Sequence, residues 1–121
     1  MQRNDISCIE VTKAVEEEDE VIRAIRDGVV LAESDRTIVV EGNHYFPPDS
    51  VNWDRFRDSD HISVCPWKGR ASYYDVVVGG KVVGNAGWAY HDPTAAALPI
   101  KDYEAFYKRF AFMGKVKIEK T

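Results

Sequence analysis

Cys65-Pro66-Trp67-Lys68-Gly69-Arg70-Ala71-Ser72-Tyr73-Tyr74-Asp75-Val76-Val77-Val78-Gly79-Gly80-Lys81-Val82-Val83 decides how the rest of the chain reads. Gly79-Gly80 between two β-branched runs is a two-residue hairpin signal. Residues 73–78 and 81–83 therefore read as antiparallel strands. Just upstream, a thiol, an indole, an ammonium and two phenols crowd together where a loop enters a strand. Such groups are costly to bury without partners. They read as one wall of a pocket.

Working outward, residues 85–90 form a further strand with Trp88 and Tyr90 on one face, since side chains alternate along a strand. His91-Asp92-Pro93 ends it. Residues 94–99 read as a loop or brief helical turn. Apolar spacings of three and four predict a short helix over 102–110, with Asp102 as its cap. Val116-Lys117-Ile118-Glu119 alternates and closes the sheet. Upstream, 61–64 reads as a short strand delivering Cys65, 57–60 as a polar loop, and 49–56 as a capped turn or one short helix. Pro47-Pro48 stops strand pairing near Phe46. Glu41, Asn43, His44 and Tyr45 then lie at a strand end, a common place for binding groups. Asp27-Gly28 favours strand–turn–strand over 21–32, although a helix ending at Gly28 explains the same residues.

Many short strands with glycine turns predict a mainly β fold. We expect a single small domain over 21–121, an antiparallel rolled sheet or open barrel with one or two short helices. Residues 1–20, with the acidic run 16–20, read as an N-terminal arm; a short helix over 14–25 is the other reading. The 121 residues are 45% hydrophobic, enough for one core. A net charge of -4 offers no basic footprint, so no nucleic-acid partner is expected. No apolar run approaches about 20 residues, so no membrane span is expected. Cys8 and Cys65 stand far apart and read as free thiols of a cytoplasmic protein. A homodimer paired through an edge strand is open to such a domain.

Five blocks carry a resemblance: 41–48 (Glu-Gly-Asn-His-Tyr-Phe-Pro-Pro), 65–69 (Cys-Pro-Trp-Lys-Gly), the Tyr73-Tyr74 pair, 86–90 (Ala-Gly-Trp-Ala-Tyr), and the run through Tyr103, Ala105 and Phe106. In this order they resemble the domain-of-unknown-function 427 family, over roughly residues 21–119. The resemblance implies a small, β-rich, mostly bacterial domain with no established activity. An older label links the family to nucleotidyl transfer. Neither GxxxxGK[ST] nor GxGxxG after a strand occurs here, and no carboxylate cluster for Mg²⁺ is visible. The segment before residue 21 reads as outside the family pattern.

The residues support three readings. In the first, Glu41, His44, Tyr45, Trp67, Lys68, Tyr73 and Trp88 form an aromatic-lined pocket for a small polar or planar ligand. Trp67 would supply a stacking wall, Lys68 a cation, and Glu41 and His44 orienting groups. In the second, Cys65 or His44 is a nucleophile or base at the same place. His61 and Cys65 share a strand face but lie ~13 Å apart. In the third, the domain is a structural or protein-interaction module, and Cys65 is a small buried apolar group. No CxxC or HxxxH pair occurs, so no metal site is assigned, and no cofactor is named by any motif.

Overall fold

The computed structural model describes residues 20–108 and 115–120. The arm read over 1–19 and the last residues of the 102–110 element lie outside the described residues. The chain begins with a hairpin of β1 (Ile22–Arg26) and β2 (Val29–Ser34). Asp27 and Gly28 turn it at φ 51° and 80°. Both central residues of a two-residue hairpin turn of this kind need positive φ, which Asp and Gly tolerate. A bulge between Ala24 and Ile25 leaves Leu31 unpaired, so Leu31 and Ala32 are both buried despite being neighbours. β9 (Lys117–Lys120) pairs with β1 and completes a three-stranded antiparallel sheet.

A two-stranded ribbon follows, β3 (Ile38–Val40) and β4 (Asn43–Tyr45). Its turn is Glu41-Gly42, at φ 53° and 80°. Two 3-10 turns, Pro48–Ser50 and Trp53–Arg55, lead into the third sheet. That sheet is antiparallel, in the order β5 (Phe56–Cys65), β6 (Gly69–Val78), β7 (Lys81–Ala89), β8 (Glu104–Phe106). A 3-10 segment, Ala95–Ile100, connects β7 to β8. The fold is mainly β, its three sheets do not close into a barrel, and its helical pieces are 3-10 turns.

The four-stranded sheet is covered on both faces. Along β6, Val76 and Val78 enter one cluster while Ala71 and Tyr73 enter another. Odd and even residues of a strand face opposite ways. β8 repeats the division, with Phe106 in the first cluster and Ala105 in the second. The first cluster holds Ile22, Leu31, Phe46 and Val116 and joins this sheet to β1, β2 and β9. The second is closed by Val40 and Tyr45 from the ribbon and by Ala97 and Ile100 from the 3-10 segment.

Two expectations are corrected. Residues 104–106 are a strand, not part of a helix. The backbone of Glu104 exchanges hydrogen bonds with Phe46, at 2.9 and 2.8 Å, and pairs with Ala89 of β7. All three residues are buried, so no polar alternation marks the strand. Residues 57–60 are not a loop but part of the ten-residue β5. β5 is an edge strand with a register shift between Asp58 and Ile62, and its Arg57, Asp58, Asp60 and His61 side chains are exposed.

Candidate functional site

The turn between β5 and β6 is Pro66-Trp67-Lys68. A neighbouring loop clamps it. Thr94 donates its backbone N–H to the Lys68 carbonyl at 3.1 Å and its hydroxyl to the Trp67 carbonyl at 2.5 Å. Gly69 follows at φ 109°, and a Cβ there would sit 3.4 Å from the Asp92 carbonyl oxygen and the Pro93 Cα. Glycine at this position permits both the backbone angle and the close approach.

So held, Lys68 is turned inward and only 5% exposed. Its ammonium lies 5.3 Å from the Trp67 ring centroid and 5.4 Å from that of Tyr90. A cation over ring faces is stabilised by the ring quadrupole. The Glu41 carboxylate completes the enclosure. One oxygen accepts from the Lys68 ammonium, and the other accepts from the Trp67 indole N–H at 3.1 Å. Glu41 reaches them from the tip of the β3–β4 turn, and half of its side chain stays in solvent.

The electrostatics follow. The Lys68 ammonium holds the Glu41 carboxyl below its usual range, against a smaller opposing effect of burial. Burial alone would lower Lys68. The Glu41 hydrogen bond and the nearby Tyr45 and Tyr90 phenols outweigh it and lift Lys68 to about 12. Burial pushes the Tyr90 phenol up to about 12 and raises Tyr45 as well. At neutral pH the cluster is one cation, one anion and neutral phenols.

Behind this cage, Tyr45 is fully buried and its hydroxyl accepts from the Trp88 indole at 3.1 Å. Trp88 packs 6.3 Å from Tyr73 and 4.9 Å from Tyr107. Tyr73 meets the Ser63 hydroxyl at 3.0 Å and the His61 ring at 4.5 Å. Beside the cage, Trp67 forms one wall of a narrow apolar recess with only about 10 Å³ of enclosed space, lined also by Ile38, Val40, Ala97, Pro99 and Ile100. Cys65 is a free, half-buried thiol packed against the second cluster. His44 is next to Tyr45 on β4, so its ring leaves the opposite side of the strand, where Nδ1 meets the Thr37 hydroxyl at 2.8 Å. Among the described residues, no three His, Cys, Asp or Glu are grouped to hold a metal.

The sequence pattern of the family described as Domain of unknown function (DUF427) matches residues 14–120. The chain belongs to this family. No curated protein matches it. The DUF427 match starts at residue 14, so it takes in part of the acidic segment first read as outside the family pattern. It spans every described strand, and the Glu41–Trp67–Lys68 cage lies within it. No helix among the described residues is long and apolar enough to cross a membrane.

Within the DUF427 domain, Glu41, Trp67 and Lys68 meet directly, and Tyr45, Trp88 and Tyr73 form the aromatic layer behind them. Sequence reasoning left Tyr90 out of the binding set. The signal was present: Tyr90 alternates with Trp88, and both enter the second cluster. His91, Asp102 and Glu104 were not singled out as a group. His91 lies in a loop after β7, while Asp102 and Glu104 fall in the segment read as helix, so no spacing rule joins the three.

Proposed function

We propose that this domain binds a small planar ligand with a polar or anionic end. One observation carries the reading: the buried Lys68 ammonium stands between two aromatic rings, with its carboxylate partner on an exposed turn tip. A ligand carboxylate or phosphate would take the place of Glu41 at Lys68. Its planar part would lie against Trp67, over the mouth of the narrow apolar recess. Small-molecule sites commonly combine apolar walls with a few placed polar groups. Glu41 also holds a left-handed backbone angle, which costs a non-glycine residue about 1–2 kcal/mol. Strain of this kind at an exposed contact fits a group that moves aside.

The test is a thermal-shift screen with aromatic carboxylates, nucleotides and neutral aromatic amides. A ligand that binds only the folded protein raises the melting temperature by mass action. The expected hit is an aromatic anion whose shift disappears in Trp67→Ala and Lys68→Met and grows in Glu41→Gln. A shift indifferent to all three variants, or none with any aromatic anion, overturns the reading.

A further inference from the structure

β6 carries two adjacent tyrosines to opposite faces of its sheet. Tyr73 belongs to the aromatic layer behind Lys68. Tyr74 turns to the other side, against Trp53 at 5.6 Å and Phe56 at 6.3 Å. Its hydroxyl lies 2.6 Å from His91 Nε2, and His91 Nδ1 lies 2.8 Å from an Asp102 carboxylate oxygen. A carboxylate at Nδ1 places the imidazole proton there and leaves Nε2 as an acceptor. Tyr74 then donates to His91, which donates to Asp102. Asp102 is fixed for this contact at φ 67°, with its N–H donated to the Tyr90 carbonyl at 3.0 Å. His91 and Asp102 are open to solvent, and Trp53 offers an exposed indole beside Tyr74.

A second observation marks the same place. Both carboxyl oxygens of Glu104 are buried and have no hydrogen-bond partner. One lies where a Cβ on Gly87 would stand, and Gly87 is the ladder partner of Tyr74. An orphaned polar group in a native core calls for a reason, and a functional site is a recurrent one.

We propose that Tyr74, His91 and Asp102 form an acyl-transfer centre on the face of the sheet opposite Lys68, with the Tyr74 oxygen as nucleophile. Hydroxyl, base and orienting carboxylate stand in the order that activates a weak nucleophile. The Tyr74 oxygen bonds to the acyl carbon of an ester while its proton passes to His91 Nε2. The ester C–O bond breaks, and the leaving alcohol takes that proton. Water, deprotonated by His91, then attacks the tyrosyl ester, which releases the acid and restores the Tyr74 hydroxyl. Asp102 is a positioning residue that stabilises the imidazolium.

The surroundings select the substrate. Tyr74 is faced by Asp58 from β5, Glu104 from β8, and Asp102 and His91 from the flanking loops. Burial, then Glu104, Asp58 and Asp102, push its phenol up to about 12. Free phenolate is therefore scarce at neutral pH, and proton transfer to His91 must accompany attack. The Asp58 and Asp102 carboxylates repel phosphoanions and admit neutral esters. The exposed Trp53 favours an aryl group.

The test uses para-nitrophenyl acetate with the full chain, following nitrophenol release and intact mass, then locating the acetyl group by peptide mapping. The expected result is an acetyl adduct on Tyr74 that forms faster than in urea-unfolded protein. It is absent in Tyr74→Phe and at least about 100-fold slower in His91→Gln. Asp102→Asn shifts the pH midpoint of acylation, which a merely structural role would not move. Para-nitrophenyl phosphate is not turned over. An adduct on lysines or Cys65 alone, a Tyr74 rate equal to that of unfolded protein, or a rate unchanged in His91→Gln overturns the proposal. The unfolded-protein comparison decides the matter even if a variant fails to fold.

Discussion

Glu41 and Lys68 share an ion pair but stand in different media. Lys68 is buried, while half of the Glu41 side chain meets water. Removing the exposed partner leaves a buried cation. Removing the buried partner leaves a carboxylate that water can solvate. The two changes should therefore differ. Glu41→Gln is expected to destabilise by about 1 kcal/mol, below the roughly 1.5–3 kcal/mol of a charged hydrogen bond because half of the group is in solvent. Lys68→Met, an apolar replacement between two rings, is expected to cost less. Urea denaturation at neutral pH ranks the two, and the reverse order would contradict this account. Glu104 presents the opposite case. Burial raises its pKa well above 4.5. The stabilisation linked to that shift is complete below about 4.5, the unfolded value, and is lost as pH rises toward the folded one. Glu104→Gln does not titrate. Its stability relative to the wild type should therefore climb by about 1–3 kcal/mol between mildly acid and neutral pH. A constant difference across that range would mean that Glu104 ionises freely in the fold.

The contact between β7 and β8 depends on a glycine. A Cβ at Gly87 would lie 2.3 Å from a Glu104 carboxyl oxygen, 2.9 Å from the Ala105 carbonyl and 3.3 Å from the Phe106 ring. Gly87→Ala should cost about 1–3 kcal/mol, as overpacking does. Adding Glu104→Ala should recover only part of that cost, because the Ala105 carbonyl belongs to the ladder and cannot swing away. Chemical denaturation of the single and double variants checks this; full recovery would show that the side chain alone was in the way. The same two strands show where sequence patterns stop. The hairpins at Asp27-Gly28 and Gly79-Gly80 were legible because tight turns demand positive φ and few residues accept it. β8 was not legible. Glu104, Ala105 and Phe106 are all buried, and spacings of three and four among their neighbours imitate a helix. β5 was read short because the outward side chains of an edge strand look like a loop.

The four-stranded sheet has a cluster on each face, so neither half of the core is complete without it. The protein should unfold in one transition. Trp53 lies on the face that carries Tyr74, and Trp67 and Trp88 lie with the second cluster. Fluorescence of variants that keep Trp53 alone or Trp88 alone should give coincident denaturation curves. Separated midpoints would mean that the two faces melt independently. The sequence alone pointed to the β class, to the Asp27-Gly28 and Gly79-Gly80 turns and to the DUF427 resemblance, since alternation, turn chemistry and contiguous motifs are local; it did not show the Glu41-Gly42 turn. It also brought Trp67 and Lys68 together, because they are neighbours. Folding decided the rest. The Glu41 turn closes over Lys68 because the ribbon packs on the second cluster, 27 residues from its partner. Tyr74, His91, Asp102 and Glu104 converge because β6 and β8 flank β7. Ladder order is a long-range packing outcome, and no spacing within a single segment carries it.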